Sequence, residues 1–147
     1  MTAYRWLLLS LVATGAIAGC APARTPKLDT YPVSGQVMVN GQPAVRAEVR
    51  MRPTKPLLDP LKRSVEPYGI VEADGMFRIS TYRDKDGAPP GEYAITIVWP
   101  TITVDGGEEV FGPDRLHGRF GNPSSPVTMF TVQEASNLIP GFDLKLP

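Results

Sequence analysis

Apolar and polar residues alternate along several short stretches of this chain, and a period of two marks a strand with one buried face. Val33, Gly35, Val37 and Val39 fall on one side, opposite Ser34, Gln36 and Met38. Asn40-Gly41 comes next; both residues tolerate positive φ, so the pair predicts a type I′ hairpin turn. A second strand is predicted over 45–51, with Val45, Ala47, Val49 and Met51 inward. Its other face, Arg46, Glu48, Arg50 and Arg52, reads as solvated surface. The segment 53–67, with its four prolines, reads as an irregular connection. Strands over 68–73 and 76–81 flank Asp74-Gly75, a second tight turn. The clearest strand is 93–99, with Tyr93, Ile95, Ile97 and Trp99 facing the core and Pro100 stopping it. Residues 101–125, rich in Gly and acids, read as a long connection. Strands over 127–132 and 142–146 complete a set of seven, and no stretch has a sustained 3.6-residue period. Seven short strands with turn signals between them predict an all-β sandwich of the Ig-like Greek-key kind.

The N-terminus follows another pattern. Arg5 precedes an apolar run, 6–18, that is shorter than the roughly 20 residues needed to cross a bilayer as a helix. A basic residue followed by a short apolar core is the layout of an export signal. The run ends in Ile17-Ala18-Gly19-Cys20, an aliphatic residue and two small ones before a cysteine, which resembles the bacterial lipobox. Residues 1–19 are therefore expected to be a signal peptide, and Cys20 the lipid-bearing first residue of the mature protein. Such an anchor is stable when two or more acyl chains are buried. Ala21 follows the cysteine where an aspartate would favour inner-membrane retention in enteric bacteria. The expected location is thus the cell envelope, at the outer membrane or facing the periplasm. Residues 20–31 read as a polar, Pro-containing tether, and 32–147 as the sandwich domain.

Composition narrows the function classes. Lys and Arg together number 15, as do Asp and Glu, and loss of Arg5 leaves the mature chain with one excess negative charge. Nucleic acid is not an expected partner, because no basic excess exists to displace counterions from phosphates. The single cysteine is taken by lipid, so neither an intrachain disulfide nor a thiolate metal site is available.

Several motifs carry a resemblance. The run from Val33 through Gly41 to Ala44, then Ala47-Glu48-Val49, Ala73-Asp74-Gly75-Met76-Phe77 and Pro90-Gly91-Glu92-Tyr93 resemble the carboxypeptidase regulatory-like domain. Segments 113–120 and 137–144 are similar to small lipoproteins of this type in planctomycetes. The resemblance covers about residues 31–147 and implies a seven-stranded, transthyretin-like sandwich without an assigned activity. Its motifs are turns and strand ends, which specify fold rather than chemistry. Arg46, where such domains often carry a small residue, and Glu72, in place of an aspartate, depart from the pattern.

The candidate chemistry is sparse. Glu72-Ala73-Asp74-Gly75 lacks the alternate oxygen ligands and distal acid of a calcium loop. His117 is the only histidine, too few for zinc and for the neighbouring peptidase of true carboxypeptidases. The urate-pathway hydrolase of the transthyretin fold needs several His and Arg residues and a Ser-rich C-terminus, whereas this chain ends Asp143-Leu144-Lys145-Leu146-Pro147. No enzyme, metal or cofactor is expected. Tyr82, Trp99, Phe111 and Phe120 are candidates for a sugar-stacking platform, with Trp99 read as core. Asp105, Glu108, Glu109 and Asp114 form an acidic loop read as solvated and, over 105–109, mobile. The expected partner-binding loop consists of Phe111, Asp114, Arg115 and Arg119, with an envelope protein or a glycan as partner. Within it, one helical turn is expected to bring Leu116 and Phe120 onto the sandwich and let Asp114 or the nearby loop acids pair with an arginine.

Overall fold

The computed structural model describes residues 25–146; Cys20 and the apolar run before it lie outside the described residues. Eleven strands form, with no helix among the described residues: β1 (Val33–Val39), β2 (Gln42–Pro43), β3 (Glu48–Pro53), β4 (Tyr68–Ile70), β5 (Met76–Arg78), β6 (Gly91–Val98), β7 (Pro100–Asp105), β8 (Glu108–Asp114), β9 (Thr128–Val132), β10 (Asn137–Leu138) and β11 (Phe142–Leu144). The seven anticipated strands are present with shifted bounds. β2, β7, β8 and β10 are additional.

One sheet is built around β1. Its backbone groups at Val33 and Val37 point to β5 and β2, and those at Ser34 and Asn40 point to the parallel β10 and β11. The second sheet is antiparallel, in the order β4-β3-β6-β9. The two sheets close over one core that contains Val37, Phe77 and Ile139 from the first and Val49, Met51, Tyr93, Ile95 and Ile97 from the second. The chain is an all-β sandwich.

β6 explains why. Tyr93, Ile95 and Ile97 are fully buried and Trp99 nearly so, the face that alternation predicted. Ala94 and Thr96, on the opposite face, are also covered, so this central strand is buried on both sides. The Tyr93 hydroxyl donates to the Pro89 carbonyl at 2.8 Å, which removes the penalty of burying it. Burial, with Tyr82 nearby, pushes its phenol up to about 12.

The turns are less uniform. Asn40 and Gly41 have φ of 50° and 79°, as the type I′ expectation requires. Asp74-Gly75 is a tight turn closed by Gly75 N–H to Glu72 O at 3.0 Å, and the Asp74 carboxylate accepts from the Met76 amide. Its two arms stay bridged, with Tyr68 and Ser80 exchanging backbone hydrogen bonds of 3.0 and 2.7 Å, while β4 also joins β3 and β5 joins β1. The turn is a corner between the sheets.

Two further expectations are corrected. The strand expected over 45–51 begins only at Glu48, and Val45 is 40% exposed. Arg46 has φ of 69°, and a left-handed residue breaks the alternation that would have carried Val45 inward. The polar segment read as tether also includes residues that lie along the domain. Tyr31 and Ala88 exchange backbone hydrogen bonds of 2.9 and 3.0 Å, and the Leu28 amide donates to the Tyr82 hydroxyl. Gly87 permits this strap. Its φ is 88°, and a Cβ there would stand 1.8 Å from the Tyr31 carbonyl oxygen.

Candidate functional site

Much of the segment 101–125 is not an irregular connection. β7 and β8 pair as an antiparallel ribbon with Asp105 opposite Glu108, so Gly106-Gly107 forms a two-residue loop. Both glycines have positive φ, 58° and 89°, as a primed turn demands. β-branched Thr101, Ile102, Thr103 and Val104 favour the extended backbone of the first arm. Among the described residues, no third strand joins the pair. Val104, Val110 and Phe111 are 73%, 47% and 63% exposed.

A two-stranded ribbon is marginal by itself in water, and this one is fastened at its base. Asp114 Oδ1 accepts from the amides of Trp99 (2.8 Å) and Leu116 (3.0 Å), and Oδ2 accepts from the Gly118 amide (2.9 Å). The Arg115 amide donates to the Trp99 carbonyl at 2.7 Å. Leu116 is fully buried and plugs the turn into the core. The Arg115 guanidinium lies 3.6 Å from the Trp99 ring centroid, and Trp99 Nε1 donates to the Val45 carbonyl at 2.9 Å. Nearer the tip, Arg46 makes two hydrogen bonds to Glu109, 2.9 and 2.6 Å. That contact holds the Glu109 carboxyl below its ordinary range and raises the Arg46 guanidinium. Between ribbon and body lies a recess of about 290 Å³ whose lining includes Arg46, Trp99, Ile102 and Arg115.

The four residues expected to contact a partner are thereby sorted. Phe111 stands exposed on the ribbon, across from Ile102. Arg115 caps Trp99, and Arg119 lies 5.6 Å from the Phe120 ring centroid. Asp114 is internal. It forms no ion pair with an arginine, because its oxygens are taken by three backbone amides, which need acceptors more than exposed guanidinium groups do. No helical turn forms over 114–120. His117, with φ of 54°, divides the segment into tight turns, although Leu116 and Phe120 do pack on the sandwich. The acidic stretch 105–109 is ordered into the ribbon tip rather than left as a loop. The aromatic platform does not assemble either: Trp99 is buried under Arg115 and Phe120 packs against the core. No group of three or more His, Cys, Asp or Glu suited to a metal occurs among the described residues.

The chain pattern did not disclose a second feature at the far end of the strap. An open groove of about 930 Å³ has walls that include Lys27, Asp59, Arg63, Thr81, Tyr82 and Arg83. The loop 58–64 forms one wall, pinned by a bridge between Leu58 and Ser64. Asp59 organises it from within. At 3% exposure, its Oδ1 accepts from the amides of Leu61 and Arg63, and its Oδ2 from the Arg63 guanidinium at 2.7 Å. Burial alone would raise the Asp59 carboxyl, but the Arg63 and Leu61 contacts prevail and lower it. Asp59-Pro60 is the available sequence signal, an Asx-type turn start inside a proline-rich stretch.

No family model and no curated protein sequence matches the chain. Among solved structures, a candidate carbohydrate-binding protein of Pseudomonas aeruginosa is similar at 14% identity and a TM-score of 0.44, covering 84% of this chain and 93% of that one. A 9R-lipoxygenase of Cyanothece is similar at 13% identity and a TM-score of 0.40, covering 85% of this chain and 18% of that one. At such distance neither likeness carries a residue or an activity over to this chain.

Proposed function

We propose that this chain is a lipid-anchored envelope protein whose sandwich, of the carboxypeptidase regulatory-like kind, is a non-catalytic interaction module that offers the β7–β8 ribbon to a partner. The observation that carries the reading is the ribbon itself: exposed Val104, Val110 and Phe111 on a projection held by the Asp114 amide contacts and the Arg46–Glu109 pair. Apolar residues on a pre-ordered element suit binding, because less entropy is lost on association than with a floppy loop. The anchoring part rests on Ile17-Ala18-Gly19-Cys20 and the apolar run before it. Mass spectrometry of the membrane fraction should find Cys20 diacylated, and Cys20→Ser should release the protein from membranes; full partitioning of that variant with membranes defeats the anchor. A photo-crosslinker at position 111 in living cells should give one dominant adduct that is lost with Glu109→Arg. A ladder of weak adducts insensitive to that change defeats the ribbon.

A second reading, a saccharide-binding module, rests on the open groove, where the Tyr82 ring stands among Ser64, Thr81, Glu66 and Arg83. Rings flanked by hydrogen-bonding groups suit sugar faces. A glycan array probed with the mature protein and with Tyr82→Ala separates the two readings.

A further inference from the structure

We infer that the end of the sandwich carrying the strap and the loop 58–64 lies against an anionic phospholipid surface; this rests on the lipid-anchor reading of Cys20. The argument begins with reach. The strap holds the chain to the domain from Lys27 onward, with Lys27 Nζ 5.8 Å from the Tyr82 ring centroid and Leu28 bonded to the Tyr82 hydroxyl. The chain between Cys20 and Lys27 therefore spans at most about 25 Å even when fully extended, so an acylated Cys20 keeps this end of the domain close to the bilayer.

The end has the chemistry that such a surface requires. Leu58 and Leu61 are 49% and 47% exposed on the pinned loop, although leucine is ordinarily a core residue. Lys62 follows directly, with φ of 61° at the loop's bend, and Arg63 comes next. Lys27 and Arg83 stand exposed across the groove. Against these cations the exposed acids are Asp29, Asp84 and, on the groove wall, Glu66, which is paired with Arg52 at 2.6 Å. Asp59 is buried beneath Arg63, and Asp86 is turned inward to accept from the amides of Thr81 and Arg83. Exposed leucines next to cations on a pinned loop fit an interface where the apolar chains enter the headgroup boundary by about 5–10 Å and the cations meet lipid phosphates. The ribbon tip, with Asp105 and Glu108 exposed, has the opposite sign and does not suit that surface.

The test uses the mature lipidated protein in vesicles of equimolar phosphatidylglycerol and phosphatidylcholine, the latter brominated on its acyl chains. Leu61→Trp and Val104→Trp place one reporter at each candidate end, with buried Trp99 as a common background. Fluorescence at position 61 should be quenched about twofold or more strongly than at position 104, as interfacial insertion predicts. Adding Lys62→Glu and Arg83→Glu to the Leu61→Trp protein should reduce its quenching to the ribbon level while co-flotation with vesicles persists. Equal quenching at the two positions, or quenching that ignores the charge reversal, overturns the inference. Binding of a soluble saccharide in the groove of vesicle-bound protein also overturns it, since the groove would then face water. Flotation and the mass of Cys20 are read in the same samples. An unmodified Cys20 in protein that does not float defeats the anchor reading, whereas a lipidated, floating protein with an unquenched position 61 defeats only the orientation.

Discussion

β6 and the β7–β8 ribbon are joined through Trp99, yet they hold their shapes by different means. From Tyr93 to Ile97 every side chain of β6 is buried, with β3 on one edge and β9 on the other. From Thr103 to Phe111 every residue of the ribbon is exposed. β6 persists because leaving the core would return apolar surface to water. The ribbon has little such surface to protect and depends on fastenings at its base. A strand can thus be ordered by what covers it or by what ties its ends, and only the second leaves its faces available to a partner.

The contrast can be broken at four places. Ile97→Ala should destabilise the whole domain by about 2–5 kcal/mol in urea melts; a loss below about 1 kcal/mol would show that β6 is not covered as described. Asp114→Ala leaves the amides of Trp99, Leu116 and Gly118 without their acceptor and should cost about 1–3 kcal/mol. Amide exchange should accelerate first at Leu116 and Gly118, and uniform acceleration across β6 would contradict the local fastening. The third test is acid. The Glu109 carboxyl is held below its ordinary value of 4.5 in the folded protein, so the Arg46 pair contributes fully above that value. It fades as pH falls through the lower, folded value. NMR should show the ribbon tip loosening in that window, and Arg46→Ala should abolish the pH dependence without a clear fall in melting temperature. The smallest effect is expected from Phe111→Ser, within about 0.5 kcal/mol; a larger loss would mean that Phe111 is packed rather than offered.

Legibility in the sequence followed the same division. Where burial on one face dictates structure, alternation was sufficient. β1 spans Val33–Val39, as its alternation predicts, and the inward face over 93–99 is the one the pattern predicts, down to Trp99. Where structure rests on local fastening, the pattern said little. The ribbon was overlooked because the like charges of Asp105, Glu108 and Glu109 suggested repulsion, although Gly106-Gly107 between two extended arms is itself a hairpin signal. Opposing Arg46 relieves part of that repulsion from another region of the chain, which no local window could reveal. Val45 was placed inward by alternation because one left-handed residue, Arg46, leaves no hydrophobic trace. Asp59 and Asn137 were invisible as internal residues, since polarity suggests surface. Asp59 accepts from the amides of Leu61 and Arg63, whereas Asn137 accepts from the Gln133 amide and donates to the Gln133 and Ala135 carbonyls, so each is satisfied while buried.

The first strand of the sandwich waits for the last. Val37–Val39 pair in parallel with Phe142–Leu144, and the Leu146 amide reaches Asn40 Oδ1 across 106 residues. A ribosome adding about 5–20 residues per second therefore makes β1 some 5–20 seconds before its parallel partner β11 exists. Throughout that interval the nascent chain cannot complete its first sheet. A premature stop just before Phe142 would make the interval permanent: the edge of β1 over Val37–Val39, which pairs with Phe142–Leu144, would stay open as a template for another chain.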